Sequence, residues 1–479
     1  MKKLKPIHGF VFFLTVYAFL GILNLGILPV AWNDEVQNLD PAVQKILTGT
    51  FKSIIWPNPG ADELFASYPP LIQYVHYVWL TISGVNIFAV RLPFLILSIA
   101  TFILFYFTLN RIKHLKNTWS PLLLLIVFAL DKSTFELFRS VRVEPIILFL
   151  LSLYLYIQPK RHPFLKFIII AIASTAHFYI WPILFVWFAF EWLKLPTIPQ
   201  KLLAFIVIIA PWAFYFHSLD YQISTWYQQM SMQTLDHQIT STDMPHSPIE
   251  NSLFYRFWPH YKEQPLNVIL FWAILIISTI LFITKKPLFK PQYQNLTALF
   301  FFSVFLFALA SPQYRYLPPL LLLALITLPQ IPWLNFQTKI IHYFTILLAF
   351  NGFFSFGGRH LAAQLQKSER NPEQVYDFLS EHLPKEKTLL IGDAIGAYYT
   401  YSIQKYSSYR RLDYAFDYYP IDWQPYKKVF IITHDTLPKS KFNRFIAEYR
   451  PVSSTMLPNW ALKFAKGQTY SGIKIYQLK

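Results

Sequence analysis

The sequence predicts a polytopic α-helical membrane protein with interfacial helices and a small C-terminal α/β domain. Three observations carry this. Of 479 residues, 54% are hydrophobic and only 14% charged, against roughly 25% charged in a soluble chain. The apolar residues fall in uninterrupted runs, several long enough for a bilayer core of about 30 Å. The short links between alternate runs carry the lysines and arginines, the bias that fixes orientation in a membrane.

Residues 7–28 form the first run, after Lys2, Lys3 and Lys5. About 20 residues suffice to span, and no small-residue cleavage pattern closes the run. An uncleaved helix with a cytoplasmic N-terminus is expected. Further spans are expected at 87–110, 119–131, 144–158, 164–176, 178–193, 202–219, 266–284, 296–311, 316–331 and 338–356, eleven in all. The stretch 164–193 is split because one helix of that length would be about 45 Å long. Lys160, Arg161 and Lys166 precede it and Lys194 and Lys201 follow it. Basic flanks on both sides require an even number of crossings, so two short helices turning near His177 are expected.

Eleven crossings place 357–479 outside. Asn371-Pro372-Glu373 should open a helix through Leu383, since proline suits a first turn. Thr388–Ile391 and Val429–Thr433 read as short β-branched strands. The expected organisation is therefore a membrane domain, 1–356, and an extracytoplasmic α/β domain, 357–479.

The +17 net charge does not mark a nucleic-acid binder, because the bases are spread over many short loops and a tail. Absence of cysteine excludes disulfides, thiolate zinc sites and a cysteine nucleophile. No G-x-x-x-x-G-K segment is present among the 13 glycines, which argues against a nucleotide-driven enzyme. Fourteen acids precede residue 357, and Glu191 alone falls near the predicted inner face. The orientation rule does not demand outer acids, so their concentration there points to function.

The first outer loop, 29–86, is the most informative stretch. Asp34 and Glu35 follow the first span directly. They read either as interfacial charges ending a helix or as carboxylates able to act on an acceptor. An amphipathic helix is expected over Leu39–Thr48, ending at Gly49. Ser67-Tyr68-Pro69-Pro70-Leu71-Ile72 leads into Gln73–Ser83, too short and polar to span and suited to the interface. Arg91-Leu92-Pro93 opens the second span.

The order of these motifs resembles the GT-C glycosyltransferases, in the branch containing protein O-mannosyltransferases and the lipid A aminoarabinose transferase. The resemblance extends over 1–356. Arg139-Ser140-Val141-Arg142-Val143-Glu144-Pro145, Ser174-Thr175-Ala176-His177, Tyr255-Arg256-Phe257 with His260-Tyr261-Lys262, and Gln313-Tyr314-Arg315-Tyr316 with Pro318-Pro319 fall where that class has related segments. The chain departs from the aminoarabinose branch at Tyr68, where that branch carries lysine.

The resemblance implies sugar transfer from a polyprenyl-phosphate donor to an acceptor hydroxyl of a lipid, glycan or protein on the non-cytoplasmic face of a prokaryotic inner membrane. Such transfer needs a base for the acceptor and cations for the departing phosphate. Asp34 is the expected base, with Glu35 and Glu144 orienting the acceptor or holding a cation. Arg256 and Arg315 suit the phosphate, since guanidinium matches its oxygens bidentately; Lys262 and Arg142 are further candidates. His177, His260, Tyr68 and Tyr316 complete the set. The three acids leave open a divalent ion, Mg²⁺ or Mn²⁺. Two other readings compete: a transporter or flippase, and a non-enzymatic envelope assembly protein. A transporter is expected to show internal repeats and midplane charges, and neither is visible. A scaffold would be indifferent to loss of Asp34.

Overall fold

The computed structural model describes residues 5–30, 33–53, 64–66, 70–113, 115–116, 118–157, 163–219, 222–231, 261–262, 264–285, 293–308, 316–330, 339–384, 388–392, 408–411, 428–434, 436–437, 443–451, 464 and 469–478. It is a bundle of apolar helices with a five-stranded sheet at its C-terminal end. The helices are α1 (Pro6–Leu23), α2 (Asn33–Thr48), α3 (Leu71–Ser83), α4 (Ile87–Asn110), α5 (Ser120–Ala129), α6 (Lys132–Leu137), α7 (Glu144–Tyr156), α8 (Pro163–Ser174), α9 (Trp181–Leu193), α10 (Ile198–Ser218), α11 (Pro265–Lys285), α12 (Gln294–Ala308), α13 (Leu317–Thr327), α14 (Lys339–Leu365), α15 (Lys367–Arg370) and α16 (Pro372–His382).

Helices lie on each of the eleven expected segments. Among the described residues, α1, α4, α10 and most of α11 are long and apolar enough to cross a membrane. Six more apolar helices are shorter. The chain is thus a membrane protein. Lipid-facing side chains such as Phe12, Phe185 and Ile206 are exposed while the opposite faces are buried, as expected for helices whose outer surface meets hydrocarbon. The turn between α8 and α9 falls at His177, whose Nδ1 caps a short 3₁₀ turn, Phe178–Ile180, by accepting from Tyr179 N at 3.3 Å.

Local chemistry explains how α4 tolerates a proline. Pro93 has no N–H to give to the carbonyl four residues back, which belongs to Ala89. The indole Nε1 of Trp79, near the end of α3, donates to that oxygen at 2.8 Å. The substitute bond also fastens the interfacial helix to the span. Asn86 caps α4, accepting from Ala89 N at 2.8 Å.

Two boundaries differ from expectation. α2 begins at Asn33, not Leu39, and continues through Pro41. A proline inside an apparent helix suggests a break, but Glu35 is anchored by tertiary bonds described below, which hold the first turn. Asp40 is buried and accepts from Gln44 Nε2 at 3.2 Å and from Ser53 Oγ, closing the loop that follows. α14 does not end near 356 but runs to Leu365. Its Gly357-Gly358 pair reads as a terminus in sequence. In the structure a Cβ on Gly358 would come within 2.6 Å of the Phe464 ring, so the glycine lets the C-terminal segment pack on the helix. Gly358→Leu is expected to loosen that contact by about 1–3 kcal/mol. Faster protease cleavage of the C-terminal region, with the helices still protected, would register it.

The sheet has the order β2-β1-β3-β5-β4, with β1 (Thr388–Gly392), β2 (Ser408–Arg411), β3 (Lys428–Thr433), β4 (Asn443–Glu448) and β5 (Lys474–Leu478). β1 pairs in parallel with β2 and β3, and β5 runs antiparallel to β3 and β4. α16 starts at Pro372 behind Asn371, whose side chain accepts from Glu373 N at 3.0 Å. Tyr449, after β4, bonds to Ser368 O and Gln374 Oε1, tying the sheet to α15 and α16.

At the other end of the bundle, Glu191 on α9 gathers three donors on one oxygen. Lys166 Nζ lies at 2.9 Å, Tyr154 OH at 3.0 Å and Lys194 Nζ at 3.1 Å. Lys194 also donates to Gln294 Oε1 at 3.0 Å. This cluster clasps α7, α8, α9 and α12.

Candidate active site

The starts of α2 and α4 and the loop before α7 converge on one carboxylate. Glu35, in the first turn of α2, is fully buried. Arg91 of α4 holds it bidentately, Nη2 to Oε1 at 2.6 Å and Nε to Oε2 at 3.0 Å. Val141 N donates to Oε2 at 3.0 Å. The remaining Arg91 nitrogen, Nη1, donates to Leu25 O at 2.9 Å and Pro29 O at 2.8 Å. A single ion pair therefore joins the segment after α1, the start of α2, the loop between α6 and α7, and α4.

The loop between α6 and α7 contributes two more arginines. Arg139 is buried; its Nε donates to Leu28 O at 2.9 Å and its Nη2 to Gly21 O at 2.8 Å. Arg142 grips Glu144 through two bonds, Nε to Oε2 at 3.0 Å and Nη2 to Oε1 at 2.9 Å. Glu144 is also the first residue of α7, where a negative charge is favoured by the helix dipole.

Glu35, Glu144 and Arg142, the candidates for acceptor, cation and phosphate contact, take part in ion pairs. Each carboxylate is held by an arginine fork, because a buried charge is tolerated only when paired and hydrogen-bonded. Among the described residues no three His, Asp or Glu side chains gather as metal ligands. Of Asp34 the structure describes the backbone, one residue before Glu35 in the first turn of α2. Tyr68, Arg256, His260 and Arg315 lie outside the described residues.

His177 and Tyr316 come together. Tyr316 stacks on Tyr179 with ring centroids 4.5 Å apart, and the His177 ring lies 4.9 Å from Tyr179 and 6.2 Å from Tyr316. α3 bridges this cluster to the carboxylate end. Its first residue, Leu71, donates its N–H to Thr175 O at 3.1 Å, and the His76 ring lies 5.4 Å from Phe94, one turn along α4 from Arg91.

Lys262 is exposed, but its neighbour Tyr261 is buried in a polar network that sequence reasoning missed. Asp131 accepts from Asn267 Nδ2 at 2.7 Å, Ser133 Oγ at 2.6 Å and Thr134 N at 3.1 Å. Tyr261 OH lies 2.8 Å from Ser133 Oγ. Gln264 accepts from Lys132 N and donates to Leu130 O, both at 2.8 Å. The network fixes the start of α11 and Tyr261 before it against the end of α5 and α6. Asn267→Leu leaves one Asp131 oxygen without its donor. The expected loss is about 1–3 kcal/mol, read as a lower melting temperature of the purified protein.

An apolar groove lies between α11, α12 and α13, lined by residues including Phe271, Trp272, Leu306 and Leu317.

No protein-family model matches the chain, and no curated protein matches it in sequence. Solved structures do match in shape. The crystal structure of ArnT from Cupriavidus metallidurans in the apo state superposes with a TM-score of 0.55 at 10% identity, over 98% of each chain. The chain has the fold of that ArnT. The same ArnT bound to undecaprenyl phosphate gives a TM-score of 0.51 at 11% identity, over 98% of this chain and 97% of that one. The match takes in the C-terminal region as well as the helices. This shared fold surrounds a site whose carboxylates Glu35 and Glu144 are paired with arginines and whose Asp34 opens a helix anchored through its next residue.

Proposed function

We propose that the chain is an integral membrane glycosyltransferase that moves a sugar from a polyprenyl-phosphate donor to an acceptor hydroxyl on the non-cytoplasmic face. One observation supports this most: in the GT-C fold, the Glu35–Arg91 pair with Val141 N fixes the first turn of α2, and so fixes where Asp34 is presented. Asp34 is the proposed general base. Base catalysis needs a carboxylate held within bonding distance of the proton it takes, and an anchored helix start supplies such a position. Glu35, Arg91, Arg142 and Glu144 are positioning residues that hold the outer ends of three helices.

Arg256, Arg315 and Lys262 are proposed to meet the donor phosphate. Cations stabilise the departing anion more strongly in a site shielded from water. The groove beside Trp272 and Leu317 suits the isoprenoid tail, being apolar and open along α11 to α13; the solved ArnT that binds undecaprenyl phosphate shares the fold. Eleven crossings would put the N-terminus inside, the C-terminal sheet outside and the protein in the inner membrane. The Glu191 cluster accords with this, since Lys166 and Lys194 then lie on the inner side.

The direct test supplies membranes holding the protein with a panel of radiolabelled polyprenyl-phosphate sugars and follows label into lipid, glycan and protein fractions. Label should move from at least one donor above the level of membranes lacking the protein. No movement from any donor would reject the reading.

A further inference from the structure

The buried face of α3 carries two polar side chains that the sugar-transfer reading has not used. Gln73 and His76 stand three residues apart, on one side of the helix, and only 3% and 1% of their surfaces are exposed. Neither nitrogen of the His76 ring has a hydrogen-bond partner, nor has Nε2 of Gln73. Glu35, Arg142, Asp131 and Glu144 nearby are bonded, while Tyr179 OH and Arg139 Nη1 are, like this pair, without a partner. A buried donor or acceptor left unmade is costly, so such a pair points to a partner that arrives with a ligand.

Location narrows the ligand. α3 runs from the Thr175 carbonyl, beside the His177–Tyr179–Tyr316 cluster, to the Ala89 carbonyl on α4. Phe94, in ring contact with His76, lies one turn from Arg91 and hence from the Glu35 carboxylate. The two unpartnered side chains therefore sit between the two ends of the candidate site. We infer that Gln73 and His76 contact the uncharged hydroxyls of the sugar carried by the donor, and so help to determine which sugar is accepted. The inference rests on the donor reading above.

The chemistry favours hydroxyls over phosphate. A carboxamide and a neutral imidazole each offer one kind of donor and one acceptor, which matches a polyol, whose every hydroxyl both gives and takes. Burial pushes the His76 pKa down to about 3, so the ring brings no charge for an anion. A site built to bond hydroxyls discriminates sharply, because a sugar lacking the matching group leaves the same atoms unpaired.

The test uses purified full-length protein in nanodiscs. It measures binding of undecaprenyl phosphate and of undecaprenyl phosphate carrying glucose, mannose, galactose or arabinose. The wild type should bind at least one sugar-bearing lipid more tightly than the bare lipid. His76→Phe, which keeps a ring against Phe94, and Gln73→Leu should each cut that preference by about tenfold while leaving bare-lipid binding nearly unchanged. His76→Phe should also raise the melting temperature without lipid, since an apolar ring replaces an unpartnered one. Preference kept by both variants, or a wild type that binds bare and sugar-bearing lipids equally, would overturn the inference and leave the donor reading standing. A wild type that binds none of these lipids, the bare one included, would overturn both.

Discussion

Asp34→Asn is expected to lower sugar transfer by about 10²–10⁴-fold, the range a positioned general base supplies. The substitution keeps the side chain's size and removes its ability to take a proton. It leaves the Glu35–Arg91 pair untouched, so the variant should reach wild-type levels in the membrane, melt at the same temperature and bind bare undecaprenyl phosphate as before. The loss should fall on turnover. Equal transfer by wild type and variant would remove Asp34 from catalysis. A drop in melting temperature alongside lost transfer would instead make it part of the scaffold.

The second large effect is expected at Arg91. Its guanidinium serves Glu35 and two carbonyls, so Arg91→Met leaves a fully buried carboxylate with a single backbone donor. Breaking a buried pair from one side costs about 3–5 kcal/mol. The variant should melt well below the wild type and lose transfer. Replacing both partners, Glu35→Leu with Arg91→Met, should restore much of the melting temperature, because no charge is then stranded. Transfer should stay low in the double variant, since the first turn of α2 is no longer held against α4 and the loop between α6 and α7. A double variant as unstable as Arg91→Met alone would show that the carbonyl contacts, not the ion pair, hold the site together.

Much of this architecture was legible in the chain, and the exceptions have causes. Apolar run length and the placement of lysines were enough to locate the helices and the turn at His177, because bilayer thickness limits a span. Asn371-Pro372 marked α16 for the same reason that it forms: a capping side chain followed by a residue that needs no N–H partner. The start of α2 at Asn33 and the continuation of α14 to Leu365 were not legible. In both places tertiary packing overrides a local preference. The acids and arginines of the site were visible as residue types, but the pairing of Glu35 with Arg91 was not. Glu35 and Arg91 are 56 positions apart, and Asp131 and Asn267 are 136 apart; periodicity carries no record of such contacts. Gln73 and His76 read only as part of an interfacial stretch, since burial without a partner is a property of the fold.

The Glu191 cluster bears on what the membrane senses. In the proposed orientation, Lys166 and Lys194 serve as fixed cations while the chain is being threaded, keeping their loops on the cytoplasmic side. Once α8 and α9 meet, Glu191 neutralises one full charge of that pair and takes both ammonium groups into its hydrogen bonds. The signal that sorted these loops is thereby withdrawn from the anionic headgroups after it has acted. The finished protein presents a weaker electrostatic attraction to its own leaflet than its count of lysines implies.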